Sequence, residues 1–248
     1  VKLWILRGTT EASALARAVA EAGIDAVYSY AGRVARVAAQ PVPVRVGGFV
    51  GVDGLAGYLR SEEITHVVDA THPFAAGMSR NAVAACARMA LPLIALSRAP
   101  WEAVEGDEWR HVADIEAAVA ALEGPAQRVF LAIGRQNLSA FAAHPQHHYL
   151  LRLVDPPTET PPLPDHSVIV ARGPFSDPED RALLRAHRID LVVSKNAGGT
   201  AAYAKLAAAR ALGLPVIMID RPVLPDRREA HSVEEVLRWL HAGTERGV

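Results

Sequence analysis

One of only three lysines in the chain, Lys195, stands in the string Ser194-Lys195-Asn196-Ala197-Gly198-Gly199-Thr200, where an apolar run gives way to two glycines and a threonine. A cation and an amide beside a turn whose backbone can approach a ligand closely suit the binding of an anion. The lysine precedes the glycines, so the string is not a Walker loop, in which it follows them. The competing account is a turn at the start of a helix, capped by Thr200, with a surface lysine. Arginine outnumbers lysine 23 to 3 in this chain. That scarcity favours the anion-binding account. Arg98, Arg135, Arg172 and Arg221 also follow apolar runs. Together they would line a cleft with positive charge fit for a ligand bearing several carboxylates, although each alone reads equally as a surface residue.

Three other strings sit at the ends of apolar runs. Gly8-Thr9-Thr10-Glu11 combines a glycine for a tight turn with hydroxyls and helix N–H groups that can hold a phosphate. It lacks the G-x-G-x-x-G spacing, and an ordinary threonine helix cap explains it as well. In Ser29-Tyr30-Ala31-Gly32-Arg33 no carboxylate occupies the place where a dinucleotide fold puts one on the adenosine 2′-hydroxyl. Hydroxyls, a glycine and Arg33 suit a 2′-phosphate, hence NADPH over NADH; a solvated loop arginine is the alternative. Asp69-Ala70-Thr71-His72-Pro73-Phe74 places an acid, a hydroxyl and an imidazole together. With Pro73 as the first helical residue, His72 falls at the helix cap. Asp69 and His72 are candidates for proton transfer, though both could simply shape the turn. The histidines lack companion Cys or Glu spacings, so no metal site is expected.

The elements that must present these strings occur twice. Lys2-Leu3-Trp4-Ile5-Leu6-Arg7-Gly8 is matched by Arg128-Val129-Phe130-Leu131-Ala132-Ile133-Gly134, His66-Val67-Val68-Asp69-Ala70-Thr71 by Asp190-Leu191-Val192-Val193-Ser194-Lys195, and Leu91 to Arg98 by Leu214 to Arg221. Gly8 to Asp69 spans 61 positions and Gly134 to Ser194 spans 60; Asp69 to Arg98 spans 29 and Ser194 to Arg221 spans 27. Short apolar runs alternate with alanine-rich segments of helical period, as in parallel strands joined by crossover helices. The expected fold is α/β: two Rossmann-like lobes with parallel sheets, related as an internal repeat, with a cleft between them. Strands are expected near 2–6, 25–30, 43–46, 66–69 and 93–96, then 129–133, 148–154, 167–171, 190–194 and 215–219. Helices are expected near 10–22, 52–60, 75–90 and 114–122, then 137–143, 178–187, 200–212 and 233–241. The boundary is expected at Glu123-Gly124-Pro125, giving lobes 1–123 and 124–248, with the proline-rich 155–164 as a loop or flap.

The balance of charge, −1 overall, gives no reason to expect a nucleic acid as partner. Cys86 is the single cysteine, which excludes an intramolecular disulfide and fits a reducing compartment. No run approaches the roughly 18 to 20 apolar residues that span a bilayer, and the start of the chain reads as a strand. A cytoplasmic monomer without membrane contact is expected.

Taken together, Leu6 to Ala12, Ala31-Gly32-Arg33, Asp69 to Ala75, Arg98-Ala99-Pro100-Trp101, Gly134-Arg135-Gln136-Asn137, Ser194 to Gly199 and Arg221-Pro222 resemble the precorrin-6A reductases of cobalamin biosynthesis. Two positions depart from that pattern. Arg7 replaces the first glycine of the family's Gly-Gly-Thr, and Ala99 replaces a proline. The resemblance implies an NADPH-dependent oxidoreductase that delivers hydride to C19 of precorrin-6A, a tetrapyrrole, and saturates C18–C19 to give precorrin-6B. On that reading Gly8, Thr9, Thr10, Glu11, Ser29, Gly32, Arg33 and Thr71 bind the cofactor. Arg98, Arg135, Lys195, Asn196, Gly198, Gly199, Thr200 and Arg221 bind the substrate. No side chain is an essential acid, with His72 and Asp69 the nearest candidates. A two-lobed nucleotide-sugar transferase and a non-catalytic dinucleotide sensor are the rival accounts of the same architecture.

Overall fold

The computed structural model describes residues 1–30 and 39–244. In chain order the first elements are β1 (Lys2–Arg7), α1 (Thr10–Glu21), β2 (Asp25–Tyr30), β3 (Val44–Val46), α2 (Gly51–Ser61), β4 (His66–Ala70), α3 (Ala76–Met89) and β5 (Leu93–Leu96). There follow β6 (Trp109–Val112), α4 (Ile115–Ala120), β7 (Arg128–Ala132), β8 (His148–Leu153), β9 (His166–Val170) and α5 (Asp177–Ala186). The chain ends with β10 (Leu191–Lys195), α6 (Ala204–Leu212), β11 (Val216–Ile219), β12 (Arg228–Ala230) and α7 (Val233–Thr244). The helix expected over 137–143 is a single 3₁₀ segment, Leu138–Ala143.

Two six-stranded sheets result, with orders β12-β5-β4-β1-β2-β3 and β6-β11-β10-β7-β8-β9. The first is the doubly wound 3-2-1-4-5-6 order, and the second repeats it over β7 to β11 with its sixth place taken by β6, which precedes them in the chain; in both the direction of winding reverses between the first and fourth strands of that order. All strand pairs are parallel among the described residues. In the first sheet successive residues of β1 serve opposite faces. Leu3 and Ile5 pack with Leu15 and Val19 of α1, while Trp4 and Leu6 pack with Leu55 and Leu59 of α2 and with Ala82 and Ala85 of α3. In the second sheet Phe130, Leu150, Val192 and Met218 pack against Leu184 of α5 and Leu206 and Ala209 of α6.

The compact units are residues 1–98 with 223–248, and 99–222, rather than the halves expected from a boundary at Glu123-Gly124. The sixth strands account for the difference. β6 follows the first repeat but adds to the second sheet beside β11, and β12 follows the second repeat but adds to the first sheet beside β5. Neither strand was expected from the sequence. β6 exposes Arg110 and His111, and β12 has three residues, so neither carries a readable apolar pattern. Their sheet is chosen by the helices that follow. Val236 and Leu240 of α7 are buried in the core formed by β1 and α1, each contributing roughly 1.5–3 kcal/mol of burial.

Candidate functional site

In a sheet of this order, ligands bind beyond the strand ends at the point where the winding reverses. In the first unit that point lies between β1 and β4, where Leu6 pairs with Asp69 and Arg7 with Ala70. The next residues, Gly8 and Thr71-His72, are pressed together. A Cβ on Gly8 would lie 2.3 Å from the His72 backbone nitrogen and 2.6 Å from the Thr71 Cα. Glycine is therefore required here by contact. Two cavities open on the strand ends, one of about 350 Å³ and one of about 260 Å³, and Arg7, Gly8 and His72 line both. The Arg7 guanidinium lies over the Tyr30 ring, 4.5 Å from its centre, and its buried Nε makes no hydrogen bond to the described residues.

Thr9 caps α1 in extended conformation, but its hydroxyl donates to the Ala70 carbonyl at 3.2 Å rather than to the helix. The first-turn N–H groups thus keep no side-chain cap. Arg98 reaches across to this turn, donating from Nε to Glu11 at 2.7 Å and from Nη2 to the Thr10 hydroxyl at 2.8 Å. Burial pushes the Glu11 carboxyl up, but Arg98 and the backbone more than offset this and hold it below its ordinary value. Arg98 and Glu11, expected on substrate and cofactor respectively, are therefore each other's partners.

Asp69 is built into the structure. One carboxylate oxygen accepts from the Thr71 N–H and hydroxyl, at 3.1 and 2.7 Å, and the other accepts from Arg227 at 2.6 Å. Thr71 also meets the Ser79 hydroxyl at 3.1 Å. His72 is not at a helix cap. Pro73 occupies a turn closed by Ala75 N–H donating to the His72 carbonyl at 2.8 Å, and α3 begins only at Ala76. Proline's fixed φ serves the second position of a turn as well as a first helical turn. His72 Nδ1 accepts from the Phe74 N–H at 3.2 Å, so a neutral ring carries its proton on Nε2.

The second unit repeats the reversal between β7 and β10, with Ala132 opposite Ser194. Lys195 donates to the Asn137 side-chain oxygen at 2.9 Å, and burial pushes its pKa down. Asn196 is buried and grips the Trp101 backbone twice, accepting from its N–H at 2.7 Å and donating to its carbonyl at 2.9 Å. Arg221 donates to the carbonyls of Asn196 and Ala197 at 2.9 and 3.2 Å. Gly198 and Gly199 both have positive φ, 71° and 75°. Thr200 is not a helix cap, because α6 starts at Ala204 after a turn closed by Tyr203 N–H on the Thr200 carbonyl. Arg135 is exposed and donates to the Asp155 carbonyl at 3.2 Å.

The structure thus gathers Gly8, Thr9, Thr10, Glu11, Asp69, Thr71, His72 and Arg98 at one strand-end site. It gathers Lys195, Asn196, Gly198, Gly199, Thr200 and Arg221 at its counterpart in the other unit. Ser29 is fully buried within β2 and presents no surface to a ligand. Gly32 and Arg33 lie outside the described residues. The sequence reading did not assign Arg227, 158 positions from its partner Asp69, or Asn137, 58 from Lys195. Asn137 did carry a signal, standing after the glycine that ends an apolar run. Among the described residues, no group of three or more His, Cys, Asp or Glu is placed to hold a metal ion, and no helix is long and apolar enough to cross a membrane.

Residues 2–241 match the sequence model described as precorrin-6x reductase CbiJ/CobK. The chain is 58% identical to precorrin-6A reductase of Rhodobacter capsulatus, over 100% of this chain and 99% of the relative. It is 48% identical to the precorrin-6A reductase of a Sinorhizobium species, over 96% and 94%. A solved structure titled CobK precorrin-6A reductase superposes with a TM-score of 0.92 at 58% identity, over 98% of this chain and 96% of that one.

Proposed function

The chain belongs to the precorrin-6x reductase family, and we propose that it transfers hydride from NADPH to C19 of precorrin-6A, saturating C18–C19 to give precorrin-6B. Identity of 58% along the whole length to a precorrin-6A reductase carries this reading. We read it as a monomer working in the cytoplasm.

The first unit fits the charged part of such a cofactor. Arg7 lines its cavities, with a buried Nε that makes no hydrogen bond to the described residues, and they reach the amino end of α1, whose dipole favours an anion. Arg7, the departure from the family's glycine, thereby adds a cation to the phosphate turn. Gly8, Thr9, Thr10 and Thr71 shape that turn, Arg98 neutralises the Glu11 carboxylate that would otherwise repel a phosphate, and Arg33 takes the 2′-phosphate. Bound NADPH supplies hydride from its nicotinamide, and the protein's task is placement. Lys195, Arg135 and the backbone after Asn196 hold carboxylates of the tetrapyrrole, while Asn196 and Arg221 hold that backbone in place. Asp69, saturated by Thr71 and Arg227, moves no proton. A neutral His72 donates a hydrogen bond from Nε2, and the proton for C18 comes from water or a substrate carboxyl.

Anaerobic incubation with precorrin-6A and either nicotinamide cofactor tests the reading: NADPH should be oxidised as the pigment spectrum changes, and NADH should serve poorly. Arg33→Ala should weaken NADPH by roughly 1 to 3 kcal/mol and leave NADH nearly unchanged. Tight binding of UDP with indifference to NADPH would favour a nucleotide-sugar transferase. NADPH binding without turnover would favour a sensor.

A further inference from the structure

The segment from Asn196 to Ala202 is held by its carbonyl oxygens. Arg221 donates to those of Asn196 and Ala197, the Trp101 indole Nε1 to that of Gly199 at 2.7 Å, the Phe175 N–H to that of Ala201 at 3.4 Å, and Lys205 Nζ to that of Ala202 at 2.5 Å. A trans peptide is planar, with its C=O and the next N–H antiparallel. Each held carbonyl therefore turns the following N–H away from the donor. The N–H groups of Gly198, Thr200 and Ala202 follow carbonyls held in this way, and none makes a hydrogen bond to the described residues. Gly198 is buried, where an N–H without a partner is costly and calls for one.

Trp101 and Lys205 form one support beneath the segment. The Lys205 amine lies 4.7 Å from the centre of the Trp101 ring, and Asn196 fixes the Trp101 backbone. Lys205 is 4% exposed, an unusual place for a lysine, with the buried Arg152–Asp180 pair as its charged neighbours. An amine kept there at the cost of desolvation is most simply explained by what it holds.

We propose that Trp101 and Lys205 are positioning residues for the reductase reaction: they hold the 196–202 segment so that the N–H groups of Gly198, Thr200 and Ala202 form a cradle for an anionic group of a ligand. This rests on the reading of the chain as a precorrin-6A reductase. On that reading the anion is a carboxylate of the tetrapyrrole; a phosphate of the cofactor offers the same oxygen chemistry, and the test distinguishes the two sources.

Trp101→Phe keeps an aromatic ring and removes the indole N–H together with the five-membered half of the indole. It should raise either KM for precorrin-6A or Kd for NADPH by about three- to tenfold, the worth of roughly one hydrogen bond, with kcat changed less. The ligand affected identifies the source of the anion. Trp109→Phe is the matched control, because it removes the same part of the ring and the Trp109 indole N–H makes no hydrogen bond to the described residues, and it should leave both constants unchanged. Lys205→Met should reproduce the Trp101→Phe effect, and Lys205→Gln, which retains a donor for the Ala202 carbonyl, should largely restore binding. Unchanged constants in Trp101→Phe, or equal defects in Lys205→Met and Lys205→Gln, overturn the proposal. NADPH titration by fluorescence needs no turnover, so a wild-type chain that binds NADPH and fails to reduce precorrin-6A would count against the function and not the cradle.

Discussion

Gly8 and Gly134 occupy matching places, each two residues beyond a strand residue that pairs across the winding reversal, Leu6 with Asp69 and Ala132 with Ser194. Gly8 is needed because the backbone of Thr71-His72 fills the space a side chain would take. Gly134 has open space around its Cα but a φ of 79°. One repeat uses the glycine to bring two strand ends together, and the other uses it to turn the chain. The partners across the reversal differ likewise. The first unit buries a charge pair, Asp69 with Arg227, whereas the second has neutral Ser194 and places its cation one residue later, at Lys195. Duplicated strands have thus acquired one closely packed, charge-compensated turn and one turn whose backbone is tied from behind.

The largest effect expected from this contrast is at the buried pair. Arg227→Met strands the Asp69 carboxylate and should cost about 3–5 kcal/mol of folding stability, whereas Ser194→Ala, losing one 3.2 Å contact to the Lys195 carbonyl, should cost about 1 kcal/mol. Urea unfolding of the two variants measures both, and similar losses would show that the charge pair is not what distinguishes the turns.

Next come the glycines. Gly8→Ala forces backbone apart and should cost about 3 kcal/mol, while Gly134→Ala meets only the left-handed penalty of about 1–2 kcal/mol. A Gly134→Asn variant sharpens the test, since asparagine tolerates positive φ and should recover part of that loss, but the same residue at Gly8 should not.

The second unit should add a pH dependence above neutrality through Lys205. Burial, then the charge of Arg152, pushes its pKa down to about 7 against the opposing pull of Asp180. Between that value and the unfolded lysine value of about 10.4, the unfolded chain binds a proton that the native state has released. Stability should therefore rise with pH across this window, by at most about 1.4 kcal/mol per pH unit from this group. Unfolding curves of wild type and Lys205→Met from neutral to alkaline pH isolate it; a slope that survives in Lys205→Met would assign the effect elsewhere.

The smallest effects on stability belong to the side chains at the ligand surface. Lys195→Ala should stay within about 0.5 kcal/mol of wild type yet impair turnover. His72→Asn should retain most activity, losing less than the roughly hundredfold expected when a general acid is removed. A larger loss in single-turnover hydride transfer with ligand affinities unchanged would make His72 catalytic.

The repeats, the parallel α/β class and the strand-end glycines, hydroxyls and lysine were all legible in the residues, because a buried parallel strand must be a short apolar run and must end where polar groups begin. Helix starts at Ala76 and Ala204 were less legible, since proline and threonine serve turns and caps alike. What local pattern could not hold is any choice made between distant segments. Whether β6 and β12 join the sheet of their own repeat depends on which core receives the helices that follow them. Whether Glu11 and Arg98 face a ligand or each other, and whether Asp69 faces a ligand or Arg227, depends on pairings 87 and 158 residues apart. An arginine at a strand end has the same sequence signature whether it meets a substrate or a neighbouring carboxylate, and only the folded chain, by bringing one of them within hydrogen-bond reach, makes that choice.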